Sequence, residues 1–240
     1  MNKRFDIHRV VETDATPEQV WDAVTAGTGG WLWPMEFEPR LGGEAAFGGT
    51  VTAWDPPHHF RTHVDGPDGF SNTLDDVIEG RDRTVLRYTH SGIITDDWDN
   101  QYDAANRHTD FYLHTLLQYL KHFPGRPATY VSADGPGSSQ QPDALEILLA
   151  SLGARRGSVG DPVTIPVPTV GATAGTIDYL TDNFLGIRTA DALYRFFDRS
   201  AWGAVVSLSV HAFGTDVGQE GAGSAWTAWL EEQYATATVS

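Results

Sequence analysis

Residues 102–122, YDAANRHTDFYLHTLLQYLKH, decide how this chain folds. Leu113, Leu116, Leu117 and Leu120 recur at i, i+3, i+4 and i+7 with Phe111 beside them, and Asn106, Asp110, His114, Gln118 and Lys121 fill the other side. That spacing gathers the leucines into one stripe, as a helix half-buried against a second layer requires. Phe123-Pro124-Gly125 ends it, because proline lacks the amide hydrogen and glycine tolerates the backbone that follows a helix.

The second layer is read from the residues upstream. Residues 5–13 alternate, with Phe5, Ile7, Arg9 and Val11 on one side, and predict a strand. A short helix follows: Thr16 is suited to its N-cap, Pro17 to its first position and Gln19 to the capping-box partner, with Val20, Trp21 and Val24 as the apolar face and Gly27 closing it. Residues 45–54, 60–64, 73–79 and 84–90 are strand-sized. Asp55-Pro56-Pro57, Asp65-Gly66-Pro67-Asp68-Gly69 and Gly80-Arg81-Asp82 divide them, which predicts an antiparallel meander. The acidic segment 95–100 then leads into the long helix.

The run Asp14-Ala15-Thr16-Pro17-Glu18-Gln19-Val20-Trp21-Asp22-Ala23-Val24, placed after the first strand, resembles the opening of START-like (SRPBCC) helix-grip proteins. Gly49-Thr50-Val51-Thr52-Ala53-Trp54-Asp55-Pro56-Pro57-His58-His59-Phe60 is similar to their second signature, a strand, a double-proline turn and the next strand. Within that superfamily the match is to the AHSA type, named after activators of a heat-shock-protein ATPase. The resemblance spans about the first half of the chain and rests on turn and core residues. It implies an α+β fold in which a curved antiparallel sheet grips the helix at 102–122, with a cavity between them.

The second half repeats the order. Residues 126–131 read as a strand and 134–142 as a Gly/Ser/Pro/Gln-rich linker. Leu145, Leu148, Leu149 and Leu152 put a helix at 143–152, closed by Gly153. Val163, Ile165 and Val167 alternate within a Gly/Pro/Thr-rich stretch, strand-like runs follow at 176–180, 193–197 and 204–213, and a helix at 224–234 carries Trp226, Trp229 and Leu230. Thr16-Pro17 is echoed by Gln141-Pro142, and Gly49-Thr50-Val51-Thr52 by Gly175-Thr176-Ile177-Asp178. The expected organisation is therefore a helix-grip domain at 1–125 and a degenerate α+β repeat of it at 126–240.

Thirty-two acidic against sixteen basic residues leave a net charge of −16, a surface that repels nucleic-acid phosphates and anionic lipid heads. No nucleic-acid or membrane partner is expected. There is no cysteine, so disulfides and thiolate catalysis are out. Met1–Asp6 holds two bases with no apolar run behind them, which predicts no secretory signal and a cytoplasmic protein.

No catalytic signature, metal site or cofactor is expected. His58, His59 and His63 cluster without an H-E-x-x-H or H-x-E pattern, the serines lie outside G-x-S-x-G, and Gly27-Thr28-Gly29-Gly30 and the glycines at 218–223 lack nucleotide-loop spacing. Of Asp75 and Asp76, adjacent on one strand, at most one faces a cavity. The aromatics carry more: Trp31, Trp33, Met35, Phe37, Phe47, Trp54, Tyr88 and Tyr112 come from segments that would line a helix-grip cavity, with Arg40, Arg87 and His90 as polar groups among them. Trp98 and Tyr102 belong to the same set of aromatics.

The functional expectation is a binding protein for a small hydrophobic or aromatic molecule that does no chemistry of its own. The resemblance also implies two alternatives: an enzyme of cyclase, dehydratase or hydrolase type acting on a cavity-bound ligand, or a co-chaperone-like interaction module. Trp226, Trp229 and Tyr234 would leave apolar surface to cover, which predicts that the second half either masks a pocket or builds a homodimer.

Overall fold

The computed structural model describes residues 2–80, 82–155, 157–168, 170–214 and 220–235. Arg81 of the Gly80–Asp82 turn and Gly218 of the glycine-rich stretch lie outside the described residues. The chain divides into two compact units, Met1–Arg126 and Pro127–Ser240.

In the first unit β1 (Lys3–Thr13) is followed by α1 (Pro17–Val24), then β2 (Glu44–Ala45), β3 (Gly49–Asp55), β4 (His59–Asp65), β5 (Ser71–Gly80) and β6 (Thr84–Ile94), and finally α2 (Trp98–His122). The six strands form one antiparallel sheet in the order β1-β6-β5-β4-β3-β2. The first strand is thus closed against the last, and a register shift between Val51 and Ala53 marks a bulge of the kind that bends a strand. Helix α1 starts as its sequence predicts: the Gln19 amide donates to Thr16 Oγ1 at 3.3 Å and the Thr16 amide to Gln19 Oε1 at 2.9 Å.

Helix α2 buries Phe111, Leu113, Leu116 and Leu120 together with Thr109, Thr115 and Tyr119, a wider face than the leucine stripe alone. It also begins at Trp98, four residues before the expected start. The acidic composition of 95–100 reads as loop, but Trp98 stacks on Tyr102 one turn on, with centroids 4.7 Å apart and planes 5° from parallel. Lys3 Nζ sits 3.3 Å from the Trp98 ring centroid, and the pair packs against Phe5, Ile7 and Ile94. These contacts draw the acidic segment into the first turn, where Asp99 also suits the helix dipole.

The expected strand at 45–54 is two strands. A 3-10 turn at Ala46–Gly48 breaks it, with Phe47 at φ 61° and Gly48 at φ 74°. Left-handed backbone at two successive residues cannot continue a strand.

In the second unit β7 (Thr129–Asp134), α3 (Ala144–Ser151), β8 (Pro162–Val167), β9 (Gly171–Leu180), β10 (Phe184–Arg188), β11 (Ala192–Phe197), β12 (Ser207–Ala212) and α4 (Ala222–Ala235) follow in turn. Its sheet runs β7-β12-β11-β10-β9-β8, the same strand order as the first, with a helix after the first strand and another after the last. Both sequence echoes fall on equivalent elements, the starts of α1 and α3 and the third strands β3 and β9.

Strand β10 is absent from the sequence reading because Gly186 interrupts its apolar run. The reason for the glycine is steric. Asp178 and Arg195 form a buried ion pair, Arg195 Nη1 to Asp178 Oδ1 2.9 Å, and a Cβ on Gly186 would collide with both. Trp226 and Tyr234 are buried, and Trp229 partly so, in the unit's own core: Trp226 meets Tyr194 edge-on at 5.8 Å, and Tyr234 Oη donates to the Ala144 carbonyl at 2.8 Å. The apolar surface from which a homodimer was expected is therefore consumed inside the unit. Among the described residues no helix is long and apolar enough to cross a membrane.

Candidate functional site

The segment at residues 31–37 follows a turn at Trp31–Trp33 and is held by the Met35 amide donating to Thr28 Oγ1 at 2.9 Å. Their exposure alternates, with Trp33, Met35 and Phe37 turned in and Pro34, Glu36 and Glu38 turned out. Opposite them, the inner face of β5 presents Asn72, Leu74 and Asp76 and that of β6 presents Tyr88 and His90. Pairing of β5 with β6 sets Asp76 across from Tyr88 and Leu74 across from His90. Helix α2 lays Ala105, His108, Thr109, Tyr112 and Leu113 along the same space, and Phe47 stands at its edge. Between sheet and helix remains a cavity of about 180 Å³.

The first unit has a helix-grip architecture, a six-stranded antiparallel sheet with one long helix after its last strand. No family model matches the chain, and no curated protein sequence matches it. Among solved structures, CalU16 from Micromonospora echinospora is 17% identical over 50% of this chain and 86% of its own, with a TM-score of 0.39. The Aha1 dimer from Colwellia psychrerythraea is 20% identical over 48% of this chain and 96% of its own, TM-score 0.39. DynU16, from the dynemicin biosynthetic locus, is 15% identical over 97% of this chain and 95% of its own, TM-score 0.41. At such distance these likenesses transfer no ligand or activity; the helix-grip assignment stands on strand order and on the helix the sheet encloses.

Of the eleven residues singled out by sequence, the helix-grip cavity brings together Trp31, Trp33, Met35, Phe37, Phe47, Tyr88, His90 and Tyr112. Trp33 meets Tyr112 edge-on at 5.6 Å, and Phe37 meets Phe60 at 4.9 Å. Three stand elsewhere. Arg40 is exposed and bonded to Glu38 at 2.6 Å. Arg87 alternates with Tyr88 and so takes the outer face, 3.5 Å from Glu79. Trp54 packs with Trp21 at 4.9 Å and Phe60 at 5.7 Å, a core contact outside the cavity wall. Trp98 and Tyr102 likewise belong to the small cluster around Phe5.

Asn72 escaped the sequence reading, and the pair Asp75 and Asp76 left open which one turns inward; strand alternation decides it, because Ile78 is core and Asp76, Leu74 and Asn72 share its face. Asp75 points the other way and meets His59 Nε2 at 2.7 Å. Asp76 is only 6% exposed, and its Oδ1 has no hydrogen-bond partner. Asn72 Oδ1 and Trp33 Nε1 are also buried and unpartnered, whereas Trp31 Nε1 donates to the Ala23 carbonyl at 2.9 Å. Leaving a buried polar group unsatisfied costs about 1–3 kcal/mol, and three around one cavity concentrate that cost.

Burial, then the charge of Asp75, pushes Asp76 up to about 8, so its carboxyl holds a proton at neutral pH. Burial lowers His90 to about 4, leaving its ring neutral. Burial and Asp76 raise the Tyr88 phenol well above its ordinary value. The other histidines of this region have structural partners: His63 Nδ1 lies 2.8 Å from Thr73 Oγ1, and His108 Nδ1 2.7 Å from the Ala104 carbonyl. Among the described residues no three His, Cys, Asp or Glu side chains converge as a metal site would require.

Proposed function

We propose that the first unit binds a small hydrophobic or aromatic molecule in the cavity between its sheet and α2. The observation that supports this most is the wall itself: aromatic and aliphatic over most of its area, with three buried polar atoms that no protein group satisfies. Native mass spectrometry of the protein purified gently from its own cells tests the reading. A discrete added mass on the wild-type chain, lost in a folded Leu74→Trp variant that fills the cavity, is the expected result. The same added mass on both proteins would overturn it.

A second reading, an enzyme acting on the cavity-bound molecule, is favoured by Asp76. A carboxyl that keeps its proton near pH 7 inside an apolar cavity has the character of a general acid. Conversion of the bound molecule by the wild-type protein but not by Asp76→Asn would support this reading, and equal conversion by both would remove it.

A further inference from the structure

The three unsatisfied atoms on the cavity wall differ in kind. Trp33 Nε1 can only donate a hydrogen bond, Asn72 Oδ1 can only accept one, and the Asp76 carboxyl, with its proton, can do both. All three residues line one cavity, and Asp76 is more than nine-tenths buried. An apolar molecule would leave them as they are, and a pure acceptor or pure donor would satisfy only part of the set. A formal charge fits worse. It would lose its hydration among rings and aliphatic side chains, where the lining presents no ionised partner in Asp76, His90 or Tyr88 at pH 7.

We infer that the cavity selects an uncharged molecule of about one-ring size that both donates and accepts hydrogen bonds, of phenol or lactam type, recognised by Asp76, Asn72 and Trp33. The size follows from the volume: cavities of about 150 Å³ hold a benzene ring, and this one is about 180 Å³. The inference rests on the binding reading above and sharpens it to a ligand class. Asp76 is the residue that discriminates, because its carboxyl can donate or accept from the most buried of the three side-chain positions.

The test is an NMR titration of the full-length protein at pH 7 with four probes of matched size: toluene, p-cresol, benzylamine and benzoate. The expected order has p-cresol binding at least tenfold more tightly than toluene, and benzylamine and benzoate each at least tenfold more weakly than p-cresol. Asp76→Asn keeps a donor and an acceptor and holds p-cresol within a few-fold of wild type. Asp76→Leu brings p-cresol down to the toluene value. Trp33→Phe weakens p-cresol severalfold and leaves toluene unchanged. Equal binding of p-cresol and toluene, tightest binding of benzylamine or benzoate, or an unchanged p-cresol affinity in Asp76→Leu would each overturn the inference while leaving the binding reading in place. The binding reading itself fails if no probe binds, or if all bind equally well to Leu74→Trp shown by its melting curve to be folded.

Discussion

Asp76 is an acid whose folded and unfolded states disagree about a proton. Its carboxyl is pushed from an ordinary 3.8 up to about 8 in the fold, so between those values the folded chain holds a proton that the unfolded chain has released. Stability rises with pH only where the unfolded state binds more protons; here it binds fewer, so this residue makes the protein less stable as pH climbs from about 4 to about 8. His90 works the other way. Lowered from 6.5 to about 4, it takes up a proton on unfolding below its ordinary value and so favours the fold increasingly from about pH 4 to 6.5. The two slopes oppose each other in acid, and the Asp76 slope stands alone between about pH 6.5 and 8. Asp76→Asn removes it: calorimetry is expected to show the variant melting above wild type at pH 8, by an amount equivalent to several kcal/mol at most, with the gap narrowing at pH 5. Identical pH profiles for the two proteins would place the carboxyl in water rather than in the cavity wall.

At the scale of elements, what local chemistry determines was readable and what a distant neighbour determines was not. The capping box at Thr16 and Gln19 involves four consecutive residues, and α1 starts where it says. The leucine periodicity placed α2, but its first turn depends on Lys3 and Phe5, far away in sequence, and composition alone left Trp98 in a loop. Strand β10 shows the same division. Gly186 weakens its strand signal, and the glycine is explained only by an ion pair between the strands on either side, β9 and β11. Gly186→Ala would improve strand propensity in isolation, yet it should destabilise the protein by about 1–3 kcal/mol in urea unfolding, because the added methyl group overpacks Asp178 and Arg195. The cavity wall was half legible for a related reason. Aromatics announce themselves by composition, while the inward side of β5 becomes visible only once Ile78 is known to be core.

For the whole molecule, one strand order serves two different interiors. On the fifth strand of the first unit the inner face carries Asn72, Leu74 and Asp76; on the fifth strand of the second, β11, the face toward α4 carries Ala192, Tyr194 and Phe196, packed with Trp226. Tyr194 and Phe196 of the second unit meet Trp226, whereas the corresponding strand of the first unit borders a cavity. Binding and stability should therefore separate by mutation. Leu230→Ala, at a fully buried position of the second core, is expected to cost about 2–5 kcal/mol in calorimetry while the p-cresol affinity of the still-folded protein stays within twofold of wild type. A parallel loss of affinity would show that the first unit's cavity depends on the second core.

Phe47 sets backbone comfort against a place beside the cavity. Its backbone sits at φ 61°, an arrangement that costs a non-glycine residue on the order of 1 kcal/mol, and the residue is 75% exposed, with its ring beside Trp33 at the cavity edge. Neither burial nor backbone comfort explains a phenylalanine there, and asparagine would accept the same conformation more readily. Phe47→Asn is expected to hold or raise the melting temperature by about 1–2 °C while shortening the residence of p-cresol in a stopped-flow displacement experiment. Variants chosen for heat resistance and variants chosen for slow ligand release would then diverge at this position, and the natural residue lies on the side of retention.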